Sequence, residues 1–257
     1  MEVAFDLRKS LPDNAKGHYE RAKKLKDKIP GLEIAIRDSK RKLESAAVEA
    51  EIKPEKMIRK AERKWFEKFR WFETRNGMLV LGGRDATTNE ILVKKHLEPK
   101  DLVFHADVTG APFFIVKNPG GTEVPDEAKR EAATAAASYS RLWASGTGSA
   151  DVFEVDPEQV SKTPPAGEYL TKGAFMIYGQ KRWHKDVILK AAVGLTEDGL
   201  IGGPVESVAN KTKDYVTVQP GDTPTGQLAK KIRIRLGDRA QLDEIQRFLP
   251  AGGGRLV

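Results

Sequence analysis

The sequence predicts an α+β protein: a mixed sheet with packed helices, preceded by an N-terminal antiparallel coiled-coil helical arm. Two observations carry this prediction. Leu25, Ile29, Leu32, Ile36 and Leu43 recur at alternating helical spacings among charged residues, with Ser39 filling the gap, and an apolar stripe of that period forms a coiled-coil seam. From Met78 onward, short β-rich runs alternate with glycine turns and an alanine-rich helix, without any internal repeat.

Along the arm, Pro30 interrupts the stripe and is expected to kink or locally break the helix. A second helical run starts at Pro54, a favourable first-turn residue, and continues through Met57, Ile58, Ala61 and Trp65. The short connection around Glu51–Lys53 makes the two runs an antiparallel hairpin. Beyond it, Trp65, Phe66, Phe69 and Trp71 crowd among basic residues and are assigned mainly to the junction between arm and body.

In the body, Met78–Leu81 reads as a strand and Gly82-Gly83 as a tight turn. Ala86–His96 reads as a helix with Asp85 or Thr87 as its cap. Leu102–Ala106 and Phe113–Lys117 form a hairpin across Thr109-Gly110-Ala111-Pro112. Pro125–Ser145 is the alanine-rich helix, ended by Gly146-Thr147-Gly148, and Asp151–Val155 and Ala174–Tyr178 are further strands. Ala191–Leu195, Leu200-Ile201 and Tyr215–Val218, followed by helices near Gln227–Leu236 and Ala240–Leu249, make a small α+β unit. Gly252-Gly253-Gly254 is expected to be mobile. The domain expectation is therefore a coiled-coil arm over 1–64, a body over 65–185 and a C-terminal α+β extension over 186–257.

Composition narrows the function. No apolar run is long enough to span a membrane, and MEVAFDLRKSL lacks the basic and apolar segments of a secretory signal. The absence of cysteine excludes disulfides and thiolate metal sites and fits a cytoplasmic protein. The net charge of +7 suggests a polyanionic partner. Residues 1–64 carry 18 Lys and Arg against 12 Asp and Glu, so nearly all the excess lies on the arm. Any nucleic-acid surface on the body must be a local patch.

Four motifs could form it. In Gly82-Gly83-Arg84-Asp85, the glycines allow a close turn, and Arg84 can then reach phosphate or a base edge, with Asp85 capping the helix or orienting Arg84; a purely structural Arg–Asp pair is the alternative. His105 and Asp107 share a strand face by alternation, the arrangement of an acid–base pair, although no nucleophile stands at useful spacing and RNA contact or fold stabilisation is the stronger reading. Lys162 sits in an exposed-looking proline loop. Lys181-Arg182-Trp183-His184-Lys185 interleaves cations with an aromatic, as stacking and phosphate contact require. The histidines His18, His96, His105 and His184 are scattered, and Gly146-Thr147-Gly148 matches neither a Walker loop nor a dinucleotide fingerprint; no metal or cofactor is expected.

Together, WFEKFRWF, GGRDATTNE, FHADVTGAP, YSRLWASGTGSADVFEV and VSKTPPAGEYLTKGAFMIYG resemble the NFACT-R domain of NEMF/RqcH-type proteins, following the archaeal pattern, and the heptads resemble the coiled coil that precedes it. The resemblance implies a non-enzymatic RNA-binding module over 65–185. Its implied partners are tRNA and the large ribosomal subunit, in quality control of stalled nascent chains. The large N-terminal domain and helix-hairpin-helix region of such proteins have no counterpart here, so the chain resembles a fragment or a short member, and tail synthesis by this chain alone is not expected. The expected RNA-facing residues are Arg84, Asp85, His105, Asp107, Lys162, Lys181, Arg182, Trp183 and Lys185, with Asp85 orienting Arg84 and Asp107 orienting His105. An RNA-processing or RNA-modifying enzyme built on His105 and Asp107 is one alternative. A coiled-coil adaptor that self-associates or docks a partner is another.

Overall fold

The computed structural model describes residues 6–52, 64–165, 167, 169–237 and 239–257, with the backbone alone at 41–52. The chain divides into two compact units, Met1–Ala61 and Glu62–Val257.

The described part of the first unit is one helix, α1 (Leu11–Ile52). Asn14 fastens its start: its Oδ1 accepts from the Asp6 N–H at 2.9 Å and its Nδ2 donates to the Asp6 carbonyl at 3.0 Å. Pro30 lies inside α1 and does not break it. The expected break is absent even though Pro30 removes one helical hydrogen bond, a cost of about 3 kcal/mol that the turns on both sides offset. Leu25, Ile29, Leu32 and Ile36 all stay more than half exposed or close to it, at 50–59%. The second helical run expected from Pro54 lies outside the described residues, and with it the hairpin.

The second unit is built on two antiparallel sheets. The larger has the order β1 (Arg70–Glu73), β2 (Leu79–Gly82), β4 (Phe114–Val116), β3 (Leu102–Ala106), β5 (Ser149–Val155), β8 (Arg182–Ile188). Helices α2 (Ala86–His96) and α3 (Asp126–Ser138) interleave with these strands, and a short ribbon pairs β6 (Val160–Ser161) with β7 (Met176–Ile177). The smaller sheet has the order β10 (Gly199–Gly203), β9 (Ala191–Thr196), β11 (Tyr215–Thr223), β12 (Gly254–Leu256), with α4 (Val205–Ala209), α5 (Thr225–Leu236) and α6 (Leu242–Phe248).

Strand alternation sorts side chains onto the two faces of the larger sheet. On β3, Phe104 and Ala106 join the main core while Val103 joins a second one. The main core receives the alanines of α3 and the apolar residues of the smaller sheet, including Val193, Val216, Leu228 and Ile232. Residues 186–257 therefore share a core with the larger sheet. The small side chains of Ala132, Ala133, Ala136 and Ala137 let α3 sit close between its neighbours. The opposite face packs Phe66 and Phe69 with Leu92 and Val93 of α2. Those aromatics are core residues of the body; Trp65, stacked 4.6 Å from His96, is half exposed.

Three expectations are corrected. The alanine-rich helix ends at Ser138 rather than Ser145, and Tyr139–Gly146 forms turns in which Trp143 is buried. Gly82 closes β2 instead of forming a turn, and neither Gly82 nor Gly83 has a positive φ. Their need for glycine is space: a Cβ at Gly82 would lie 2.3 Å from Phe114 Cε1, and one at Gly83 2.5 Å from Asn89 Oδ1. Gly252–Gly254 is not a loose tail. Gly254 is buried in β12, Trp143 Nε1 donates to the Gly253 carbonyl at 2.8 Å, and Thr225 Oγ1 donates to the Gly252 carbonyl at 2.6 Å.

Candidate nucleic-acid interface

Asp85 is the N-cap of α2. Its Oδ1 accepts from the Thr88 N–H at 2.8 Å, while Thr88 Oγ1 accepts from the N–H groups of Arg84 and Asp85 at 2.9 and 3.0 Å. Those bonds hold the carboxyl below its usual range and leave it serving the helix end. Asp85 thus caps α2; it does not orient Arg84 as the motif suggested.

Lys162 is likewise engaged inside the fold. Its Nζ donates to the carbonyls of Thr171 and Ala174 at 3.2 and 3.0 Å, lies 3.6 Å from Glu90 Oε2 and sits over the Phe175 ring. Glu90 also accepts from the Gly173 N–H, and buried Asn89 donates to the Gly173 carbonyl at 2.8 Å. Lys162 therefore clamps the loop before β7 onto α2, which removes it from the RNA-facing set.

The His105–Asp107 pair does not form. β3 ends at Ala106, the Asp107 N–H turns to the Asp151 carbonyl at 2.8 Å, and Asp107 is exposed. Alternation fails there because the strand has ended. His105 points into the second core, with ring centroids 4.5 Å from Phe113 and 5.4 Å from Phe153. Its Nε2–H donates to the Ala111 carbonyl at 3.0 Å, and Nδ1 is buried without a partner. Burial pushes the imidazole down to about 4, outweighing the Ala111 bond, so it is neutral near pH 7. It packs as a partly buried aromatic beside Phe113 and Phe153, without Asp107 as a partner.

The Lys181–Lys185 cluster lies at the start of β8, the edge strand of the larger sheet, with Lys181 just before it, and its members divide by face. Arg182 and His184 turn to buried Glu154: Arg182 Nε donates to Glu154 Oε1 at 2.6 Å and His184 Nε2 lies 2.9 Å from Oε2. Arg182 also forks onto both oxygens of Asp156, at 3.0 and 2.8 Å. Burial raises the Glu154 carboxyl, but the His184 and Arg182 bonds outweigh it and hold it low. Arg182 is thus neutralised locally and leaves the RNA-facing set.

On the other face, Trp183 pairs in register with Phe153 and is 42% exposed. Lys181 Nζ stands 4.1 Å from the Phe153 ring centroid and 5.6 Å from that of Trp183. Lys185 Nζ stands 4.5 Å from the Trp183 centroid and bonds Asp151 Oδ2 at 2.7 Å. The result is an open indole edge flanked by two ammonium groups, the larger-scale geometry of a nucleobase stacking platform with phosphate contacts beside it. The sequence identified Lys181, Trp183 and Lys185 together, and the structure keeps them together.

Arg84 is elsewhere. It enters a recess between the two sheets with Arg70 of β1 and Arg247 of α6, neither of which the sequence motifs indicated. Arg70 Cζ lies 4.4 Å from the Tyr139 ring centroid, and Tyr139 OH donates to the Phe248 carbonyl at 2.7 Å. Burial first, then repulsion from Arg70 and Arg247, pushes the Arg84 guanidinium down to about 10. Arg70 sits between Phe69 and Trp71, and Arg247 in an ordinary amphipathic helix, so no local signal marked either.

Among the described residues no group of three or more His, Asp or Glu could hold a metal ion, and no helix is long and apolar enough to cross a membrane.

Residues 68–179 match the NFACT protein RNA binding domain. The chain is 42% identical to the archaeal Rqc2 homolog aRqcH of Methanocaldococcus jannaschii, over 79% of this chain and 30% of that protein. It is 39% identical to the ribosome quality control complex subunit NEMF homolog of Drosophila melanogaster, over 70% of this chain and 18% of that one. Identity is also 39% to the ribosome quality control complex subunit NEMF of Homo sapiens, over 66% and 16%. The chain spans less than a third of the length of these relatives. The match covers β1 to β5 of the larger sheet, α2, α3 and the β6–β7 ribbon with the loop clamped by Lys162, and it ends before β8; this chain carries an NFACT RNA-binding domain and is of the NEMF/RqcH type.

Proposed function

We propose that this chain is the RNA-binding module of a cytoplasmic ribosome quality-control factor, engaging tRNA and the large ribosomal subunit at stalled nascent chains. It acts by binding, not by catalysis. The observation that carries this reading is the exposed Trp183 indole between Lys181 and Lys185 on the free edge of the larger sheet. An aromatic there accepts an unpaired base of any identity, while the Lys181 ammonium, with no ion pair among the described residues, meets a flanking phosphate and Lys185 stays tied to Asp151. The separation of His105 from Asp107 supports the binding reading over one built on that pair.

The test is a tRNA titration by fluorescence anisotropy with the wild-type chain and with Trp183→Ala. Loss of one stacked base weakens binding by about tenfold. Equal affinity in the two proteins would overturn the platform, and no measurable tRNA affinity at low salt would overturn RNA binding by this chain.

A second reading concerns α1. Leu25, Ile29, Leu32 and Ile36 expose an apolar stripe, which supports pairing of this helix with a second copy or with a partner helix. Analytical ultracentrifugation of wild type against Leu25→Ser/Leu32→Ser separates self-association from a monomer.

A further inference from the structure

The recess between the two sheets holds an excess of positive charge that the fold does not use. Arg70, Arg84 and Arg247 converge on it from β1, from the cap of α2 and from α6. Each guanidinium presents several N–H donors in a planar fork suited to oxyanions. Arg84 Nη1 donates to the Arg247 carbonyl and Arg247 Nη2 to the Glu67 carbonyl, both at 3.4 Å, which is long for a hydrogen bond. Arg84 Nε–H is buried and has no acceptor among the described residues. Among the described residues no ion pair joins a carboxylate to any of the three guanidiniums, and Asp85, which acts on Arg84 through charge, is committed to the Thr88 N–H.

Buried or half-buried like charges ordinarily find counter-ions, because an unpaired charge removed from water costs several kcal/mol. Here the cations repel one another, and burial and that repulsion depress Arg84 together. Arg70 is partly compensated by the Tyr139 ring, and Tyr139 is itself anchored to the Phe248 carbonyl. The scaffold therefore holds the cations in place without neutralising them. The walls of the recess are largely aromatic, being formed by Phe72, Phe114 and Phe248 with Tyr139. Its floor has room for little more than one water-sized group. A nucleobase or a sugar does not fit there, whereas one oxygen of a phosphoryl group does.

We propose that Arg70, Arg84 and Arg247 form a phosphate-binding site at the seam between the two sheets, distinct from the Trp183 platform. A phosphoryl oxygen enters the recess and accepts from Arg84 Nε–H. The remaining oxygens stay at the mouth against the Arg247 fork. The site does not depend on the RNA reading, since its ligand chemistry is that of a phosphoryl oxyanion from a nucleic-acid strand or from a small phosphate ester. It also gives residues 186–257 a part in binding, because Arg247 comes from α6.

The probe is inorganic phosphate, titrated into the full chain at constant ionic strength, with the arginine Nε–H resonances followed by NMR. The expected result is a saturable shift of the Arg84 Nε–H resonance that weakens about tenfold or more in Arg247→Gln, since a charge-assisted bidentate contact is lost. Arg247 is exposed, so that variant keeps its fold; Arg70→Gln, checked for an unchanged amide spectrum, is the second variant. A non-saturating shift, or equal phosphate affinity in wild type and Arg247→Gln, overturns the site. In a second arm a short single-stranded RNA is added to the phosphate-loaded protein. Displacement of phosphate identifies a strand phosphate as the natural ligand, and retention identifies a small phosphate ester.

Discussion

Arg84 Nη1 donates to the backbone carbonyl of Arg247, 163 residues further along the chain, so two cations meet across the seam between the sheets. The fold tolerates this juxtaposition at an electrostatic cost that salt can screen. Raising sodium chloride from low to moderate concentration is therefore expected to stabilise wild type by a few tenths of a kcal/mol more than Arg247→Gln, as read from urea unfolding midpoints. An identical salt response in the two proteins would show that the arginines do not repel.

The glycines of the Gly-Gly-Arg-Asp segment act through space, not through a left-handed backbone. Gly82→Ala forces a methyl group into the Phe114 ring and is expected to cost about 1–3 kcal/mol in urea unfolding. Gly17→Ala, in α1 with nothing near the added atom, is expected to act in the opposite sense by about 1 kcal/mol, read as increased helicity. Equal effects would remove the packing explanation.

His105 links the second core to pH. Its folded value near 4 lies below the ordinary histidine value, so below about pH 6.5 the unfolded chain takes up a proton that the folded chain refuses. Stability on this account is complete above pH 6.5 and falls as pH drops toward 4. Between pH 7.5 and 5.0 wild type should lose about 2 kcal/mol more than His105→Phe. Parallel losses would mean that His105 is protonated in the fold.

Asp85→Ala removes the cap of α2 and is expected to cost about 1 kcal/mol in chemical denaturation while leaving tRNA affinity unchanged. A specific loss of tRNA affinity without a stability change would return Asp85 to the RNA-facing surface.

Local signals made part of this molecule legible in its sequence. Helix α2 is readable because Asp85 caps it and the lysines Lys94 and Lys95 close it. The β3–β4 hairpin is readable from its two apolar runs around Gly110 and Pro112, and its register is Phe104 opposite Phe114. The order of Gly252–Gly254 was not readable. Glycine carries no side-chain pattern, and the bonds that fix this segment come from Trp143 and Thr225. The interface shows the same division. Lys181, Trp183 and Lys185 are neighbours in sequence and were found, whereas Arg70, Arg84 and Arg247 meet only through tertiary packing. Arg182 and Lys162 looked free because their carboxylate partners lie 28 and 26 residues away for Arg182, and because Glu90 reaches Lys162 only through the folded loop.

In the proposed reading, β8 and Lys181 just before it present an RNA-binding edge on an otherwise near-neutral body. The most direct measurement is tRNA affinity as a function of salt for wild type and Lys181→Gln. Wild-type affinity should fall steeply as salt rises, and the logarithmic slope should decrease by about one on Lys181→Gln as one phosphate contact disappears. A slope identical in the two proteins, or tRNA affinity insensitive to salt, would contradict it.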